Sequence, residues 1–227
     1  PPRTPNALVF ASPGGGGNRI DPPTVGISTA NTSLYGGFAG WVTKLSQRNP
    51  HPLFNGTDLT GWWCPGNIEA WQPIDGELVL ASRGGNYLRT EKLYGNYTLS
   101  FEYKMKKGGN SGLGIRTARD GWPSGDGMEL QILDHPKPDK GGMMSIYRNV
   151  PPLAVAHKSQ DWNQLVVKAE GRMISVWING QLVQQVNTAW EPELRHRHLA
   201  GWIGFQDHGA KIQIRHLRLA EAPDGLG

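Results

Sequence analysis

The residues best able to do chemistry lie in one segment, Gly108 to Pro136, GGNSGLGIRTARDGWPSGDGMELQILDHP. It holds a guanidinium at Arg116, a carboxylate at Glu129 and an amide at Gln131, with a second amide at Asn110. A carboxylate can take a proton, and a guanidinium can hold developing negative charge or clamp paired oxygens. Amides fix hydroxyl groups as donors and acceptors. Further side chains could join them. His157 sits in the connection before Trp162, and its imidazole titrates near neutral pH. His208 follows Gln206, and both share a strand face with Trp202 and Gly204. Trp122, between Gly121 and Pro123, is the best candidate for an exposed stacking platform; Trp162 is another.

Two strands must position this set. In Ser111–Arg116, alternation sends Leu113 and Ile115 to one face and Gly112, Gly114 and Arg116 to the other. In Gly127–Leu133 it groups Met128, Leu130 and Ile132 against Glu129, Gln131 and Leu133. Alternate glycines mark close approach by a ligand or another backbone. If the two polar faces meet, Arg116, Glu129 and Gln131 point across a shallow, sugar-sized floor. Each has a plainer alternative: Arg116 and Glu129 can simply pair, Gln131 can be a satisfied sheet amide, the histidines can be solvated, and the tryptophans can fill a core. Catalytic roles are expected at Glu129, His157 and Arg116. Substrate-binding roles are expected at Gln131, Asn110, Trp122, Gln206, His208 and Trp162. For a metal, the candidates are Glu129, Asp134 and His135, although two adjacent residues form a poor ligand set.

The rest of the chain reads as strands. Tyr97–Lys106 alternates throughout its length, and Asn163–Ala169, Ile174–Ile178, Gln181–Val186, Trp202–Gln206 and Lys211–Leu219 follow. Asp75-Gly76 and Asn179-Gly180 are tight hairpin signals. No sustained amphipathic helix occurs after residue 50. The expected fold is an all-β sandwich of two antiparallel sheets spanning 51–220, followed by a tail at 221–227. Residues 1–50 carry Gly14–Gly17, many prolines and little periodicity, and read as an irregular arm with one ordered piece at Leu34–Leu45.

Composition excludes several classes. The 227 residues contain one cysteine, so neither an internal disulfide nor a thiolate zinc cluster can form. The net charge of +4 is scattered, which argues against nucleic acid, and no apolar run is long enough to span a membrane. Gly14–Gly17 lacks the lysine and helix of a phosphate-binding loop, so no nicotinamide or flavin is expected.

An ordered set of landmarks carries a family resemblance: Leu53-Phe54-Asn55-Gly56, Gly61-Trp62, Asp75-Gly76-Glu77-Leu78, Tyr94-Gly95-Asn96-Tyr97 and Asn110-Ser111-Gly112 leading to Arg116. Glu129-Leu130-Gln131-Ile132-Leu133-Asp134, Asp161-Trp162-Asn163, Ile178-Asn179-Gly180 and Ile203-Gly204-Phe205-Gln206-Asp207-His208-Gly209 complete it. From about residue 50 to 220 the chain resembles the 3-keto-disaccharide (3-keto-glycoside) hydrolase domain. The resemblance implies a concanavalin A-like jelly roll, a secreted or periplasmic bacterial setting, and an oxidised glycoside as substrate. It also implies a separate sugar 3-dehydrogenase to make the ketone.

Glucanases of this sandwich often carry acids at alternate positions of one strand. Here Gln131 stands at the second such position, and Asp134 falls on the wrong parity. The paired carboxylates of an ordinary glycosidase are therefore not expected. A ketone at C3 offers another route: it acidifies the C2 proton, one base removes it, and the enolate expels the group on C1. Such a site needs a base, a positive group or divalent metal at the enolate oxygen, and donors for the ring. A non-catalytic carbohydrate-binding module is the alternative reading of the same residues.

Overall fold

Alternation of apolar and polar side chains builds strands that must bury one face, and here two antiparallel sheets bury theirs against each other. The computed structural model of the chain describes residues 50–135 and 138–222. The arm expected over 1–50, including Leu34–Leu45, lies outside the described residues except for Pro50, as does most of the 221–227 tail.

The strands in chain order are β1 (His51–Pro52), β2 (Trp62–Trp63), β3 (Trp71–Ile74), β4 (Glu77–Leu80), β5 (Tyr87–Thr90), β6 (Tyr97–Met105) and β7 (Asn110–Thr117). They continue with β8 (Met128–Leu133), β9 (Asn163–Glu170), β10 (Met173–Ile178), β11 (Gln181–Asn187), β12 (Trp202–Gln206) and β13 (Ile212–Glu221). A four-residue helix, α1 (Pro123–Asp126), sits in the β7–β8 connection. The larger sheet runs β11-β10-β9-β6-β13-β4-β3, with β1 also on β13; the smaller runs β2-β5-β12-β7-β8. Neighbours far apart in sequence mean that the chain crosses repeatedly between sheets, as a jelly roll requires.

The hairpins form where the turn residues demand. Asp75 and Gly76 have φ of 51° and 79°, and Asn179 and Gly180 of 50° and 82°, the left-handed pairs of a type I′ turn. The core lies between the sheets. Leu99, Phe101 and Tyr103 of β6 face Leu113, Ile115, Leu130, Ile132 and Phe205, all buried. Phe101 meets Phe205 edge-on at 5.3 Å between centroids, which locks the two sheets face to face.

Candidate functional site

With Leu88, Leu113, Leu130 and Phe205 turned inward, alternation sends Trp63, Tyr87, Arg89, Gly204, Gln206, Asn110, Gly112, Gly114, Glu129 and Gln131 to the outer face of the smaller sheet. The register is specific. Arg89 pairs with Gly204, Gly204 with Gly114, and Gly114 with Glu129, so one row of the sheet carries a guanidinium and a carboxylate at its ends. Three strand spacings separate their Cα atoms, about 14 Å. In the next row Tyr87 pairs with Gln206, and Gly112 with Gln131.

The glycines between them do not leave the floor bare. A Cβ on Gly112 would stand 2.3 Å from Glu129 Oε1, so the glutamate lies across that glycine's backbone. A Cβ on Gly204 would meet Arg89 Cγ at 3.1 Å, and one on Gly114 would meet Pro123 Cγ at 3.0 Å. The absent side chains thus make room for the glutamate, the arginine stem and the α1 loop.

Glu129 is buried, and it is the one acid in the five strands of this sheet. Burial raises its proton affinity, while Tyr87, His208 and Arg148 favour its charge. The Tyr87 hydroxyl falls short of ordinary hydrogen-bond geometry with the carboxylate yet lies close enough to act on it. Burial and the Glu129 charge push the Tyr87 phenol well above its usual range, so it stays a neutral donor. Gln131 Nε2 donates to Asn110 Oδ1 at 3.0 Å. The backbone beyond β8 is covered by the 144–150 segment, where Tyr147 N donates to Glu129 O at 2.9 Å.

Arg89 is 1 % exposed. Its Nη2 donates to Gly121 O in the β7–β8 connection, and its guanidinium lies 5.6 Å from both the Trp63 and Tyr87 ring centroids. Desolvation lowers its pKa, and the nearby Asp126 and Asp120 charges oppose that. Its Nε and Nη1 make no hydrogen bond to protein, and the same holds for buried Trp63 Nε1, Tyr87 Oη and Gln206 Oε1. Buried polar atoms ordinarily find partners, so orphans gathered on one sheet face make it the candidate site for a polar ligand.

Six of the expected site residues share this face or its rim. Glu129, Gln131, Asn110 and Gln206 lie on the strands, while Trp122 and His208 line a cleft beside them. Arg116 does not join them. Between Trp202 and Gly204 the β7 partners run from Thr117 to Gly114, one extra residue on β7, and Arg116 takes a φ of 50°. This bulge breaks the alternation on which the expectation rested. Arg116 is fully buried and donates to Gly171 O at 2.6 Å and Gly95 O at 3.1 Å, tying β7 to turns of the larger sheet. The expected place of Arg116 on the floor is therefore not taken, and neither is the alternative of a pair with Glu129 among the described ion pairs.

His157 is also elsewhere. Its Nε2 lies 2.6 Å from Asp134 Oδ1 and its Nδ1 3.0 Å from the Tyr103 hydroxyl, with its ring stacked on Tyr103. Asp134 accepts in addition from Gly108 N and Ser159 Oγ. Burial pushes the Asp134 carboxyl up, but these hydrogen bonds outweigh it and hold the group below its usual value. Trp162 packs on the larger sheet, with the Arg215 guanidinium 3.7 Å from its ring centroid. The metal candidates are likewise dispersed: Asp134 serves His157, and His135 is exposed. Glu129 lies five positions back, about 16 Å along an extended strand. Among the described residues, no three His, Cys, Asp or Glu side chains gather as a ligand set.

Sequence reasoning overlooked Tyr87 and Arg89. Their signal was present: in Tyr87-Leu88-Arg89-Thr90, two polar-tipped side chains flank an inward leucine on one short strand.

The fold has solved relatives. Two crystal structures from Parabacteroides distasonis ATCC 8503, each described as a "putative glycosyl hydrolase", superpose with TM-scores of 0.68 and 0.62. The first is 23 % identical, over 77 % of this chain and 100 % of its own. The second is 24 % identical, over 74 % and 92 %. At that identity the likeness concerns the fold. No curated protein matches the chain. The 3-keto-alpha-glucoside-1,2-lyase-like domain matches residues 49–220, the whole sandwich and the strands that carry the site. The chain belongs to that family of carbohydrate-active domains.

Proposed function

We propose that the smaller sheet's outer face cleaves 3-keto-glycosides or 3-keto-disaccharides by elimination. Glu129 removes the C2 proton, and the electrons of that bond move toward the C3 carbonyl as an enolate. The enolate collapses, re-forming the ketone and a C1–C2 double bond while the C1–O bond breaks. The leaving oxygen takes a proton from Tyr87, from His208 or from solvent. Water adding across the double bond then completes a net hydrolysis. Arg89, rather than Arg116, is the cation of the floor, and Gln131, Asn110 and Gln206 hold ring hydroxyls. The ketone must come from a separate enzyme that oxidises a sugar hydroxyl at C3, and the family setting suits a secreted or periplasmic protein.

One observation carries this reading. A lone buried carboxylate with raised proton affinity stands beside a neutral phenol, on a face whose strands hold no second acid. Paired-carboxylate hydrolysis needs the second acid, whereas proton abstraction next to a ketone needs only the first. The test is release of aglycone from a 3-keto-glucoside and from the same glucoside unoxidised, with and without deuterium at C2. Turnover of the ketone alone, slowed by deuterium, is expected. Binding without turnover of any oxidised substrate would instead make this a carbohydrate-binding module.

A further inference from the structure

Beside the floor opens a second space, which shares only His208 with the elimination chemistry. It is a cleft of about 390 Å³ lined by Arg83, Gly84, Asn86, Trp122, Asp207, His208 and Gly209. One contact, supported by the electrostatics, places it beside the proposed base. Trp122 packs edge-on against Tyr87, 5.7 Å between centroids, and His208 is near enough to Glu129 to favour its charge. A group leaving C1 of a sugar seated on the floor would have this cleft for a neighbour.

Its walls differ in chemistry. Trp122 is 60 % exposed, so most of the indole remains available although it packs on Tyr87. His208 and Arg83 also line it, and the Arg83 guanidinium lies across Gly209; a Cβ there would be 2.5 Å from Arg83 Nε. Arg83 takes part in none of the ion pairs among the described residues. Asp207, the one acid in the lining, is turned to the backbone. Its Oδ2 accepts from Gly84 N at 2.7 Å and Gly85 N at 2.8 Å, and its Oδ1 from Gly209 N at 2.7 Å. That carboxylate braces the wall and leaves the guanidinium as the group that meets a ligand.

Building on the proposed elimination, we infer that this cleft is the subsite for the departing group, and that it selects a ring bearing an anionic substituent. Trp122 stacks the ring, and Arg83 takes the anion through its planar fork.

The first test needs no catalysis. Calorimetric titration of the full chain with 4-hydroxybenzoate and with 4-hydroxybenzamide compares one ring with and without charge. The acid should bind about fivefold more tightly, and the ratio should shrink in high salt. Arg83→Gln should bring the ratio to one, while Trp122→Ala should weaken both probes alike. Equal binding of the two probes, no binding of either, or a ratio unchanged in Arg83→Gln overturns the subsite. The second test compares kcat/KM on 3-keto-glucosides carrying the same two rings, in wild type and Arg83→Gln. Cleavage of both with no Arg83-dependent preference removes the subsite and leaves the elimination standing. Cleavage of neither, with Arg83-dependent binding retained, removes the elimination and leaves an anionic-ring site.

Discussion

Replacing His157 by alanine separates a structural histidine from a catalytic one. With the ring neutral, Nε2–H donates to Asp134 at 2.6 Å and Nδ1 accepts from the Tyr103 hydroxyl at 3.0 Å. The His157 and Asp134 side chains are only 3 % and 2 % exposed. A hydrogen bond to a charged partner contributes about 1.5–3 kcal/mol, and a buried hydroxyl left unpaired costs about 1–3 kcal/mol. Asp134 keeps Gly108 N and Ser159 Oγ as donors, which limits the damage on its side. A loss of about 3–5 kcal/mol results. For a domain of this size each kcal/mol moves Tm by about 2–4 °C, so His157→Ala should melt about 6–20 °C lower. Thermal and urea unfolding measure the loss. Turnover of a 3-keto-glucoside at 25 °C, where the variant is still folded, should stay within about threefold of wild type, since a folded site retains its Glu129 base. A variant that melts with wild type but has lost about a hundredfold in kcat would refute this reasoning and return His157 to the role of base.

Gly112→Ala should keep the fold, because its new methyl meets the flexible end of Glu129, but it should displace that carboxylate and lower kcat at least tenfold; melting and turnover measured together check it. Glu129→Gln should lower kcat by about 10²–10⁴. The same variant should be more stable than wild type at neutral pH. Burial raises the Glu129 pKa above the usual 4.5, so the wild-type chain gives up stability as pH rises through that raised value, and the variant does not. The gap should close below pH 4.5, as Tm across pH would show. Asp134→Asn should behave oppositely: the depressed Asp134 pKa stabilises the wild type above the ordinary 3.8 and fades as pH falls through the lower folded value, so acid unfolding curves of the two should converge there. Arg116→Gln should cost about 2–4 kcal/mol by stranding the Gly95 and Gly171 carbonyls, with turnover at 25 °C unchanged.

The strands were legible because each buries one face, and period-two alternation survives in Tyr97–Met105 and Met128–Leu133 without help from distant residues, whereas a bulge between Arg215 and Arg218 interrupts it in Ile212–Glu221. Glu129 and Gln131 followed from the same rule. Arg116 did not, because one extra residue on β7 is set by its pairing with β12, some ninety positions away, and leaves no local mark. Nor could alternation show that β5 would lie beside β12 and bring Tyr87 and Arg89 to the face of Glu129. His157 was misplaced for a related reason: its partners Tyr103 and Asp134 come from two different strand ends, and only the folded chain joins them.

The proposed base and cation ride on strands β8 and β5, whereas Trp122, Arg83 and His208 stand on connections between strands. Connections accept insertion and replacement far more readily than sheet rows. On the proposed elimination, descendants of this domain can therefore change what they release by rewriting residues 81–86 and 118–127 while inheriting one unaltered reaction centre. For an engineer, the same division means that a loop library over those two segments would explore leaving-group choice, and a screen need not re-optimise proton abstraction each round.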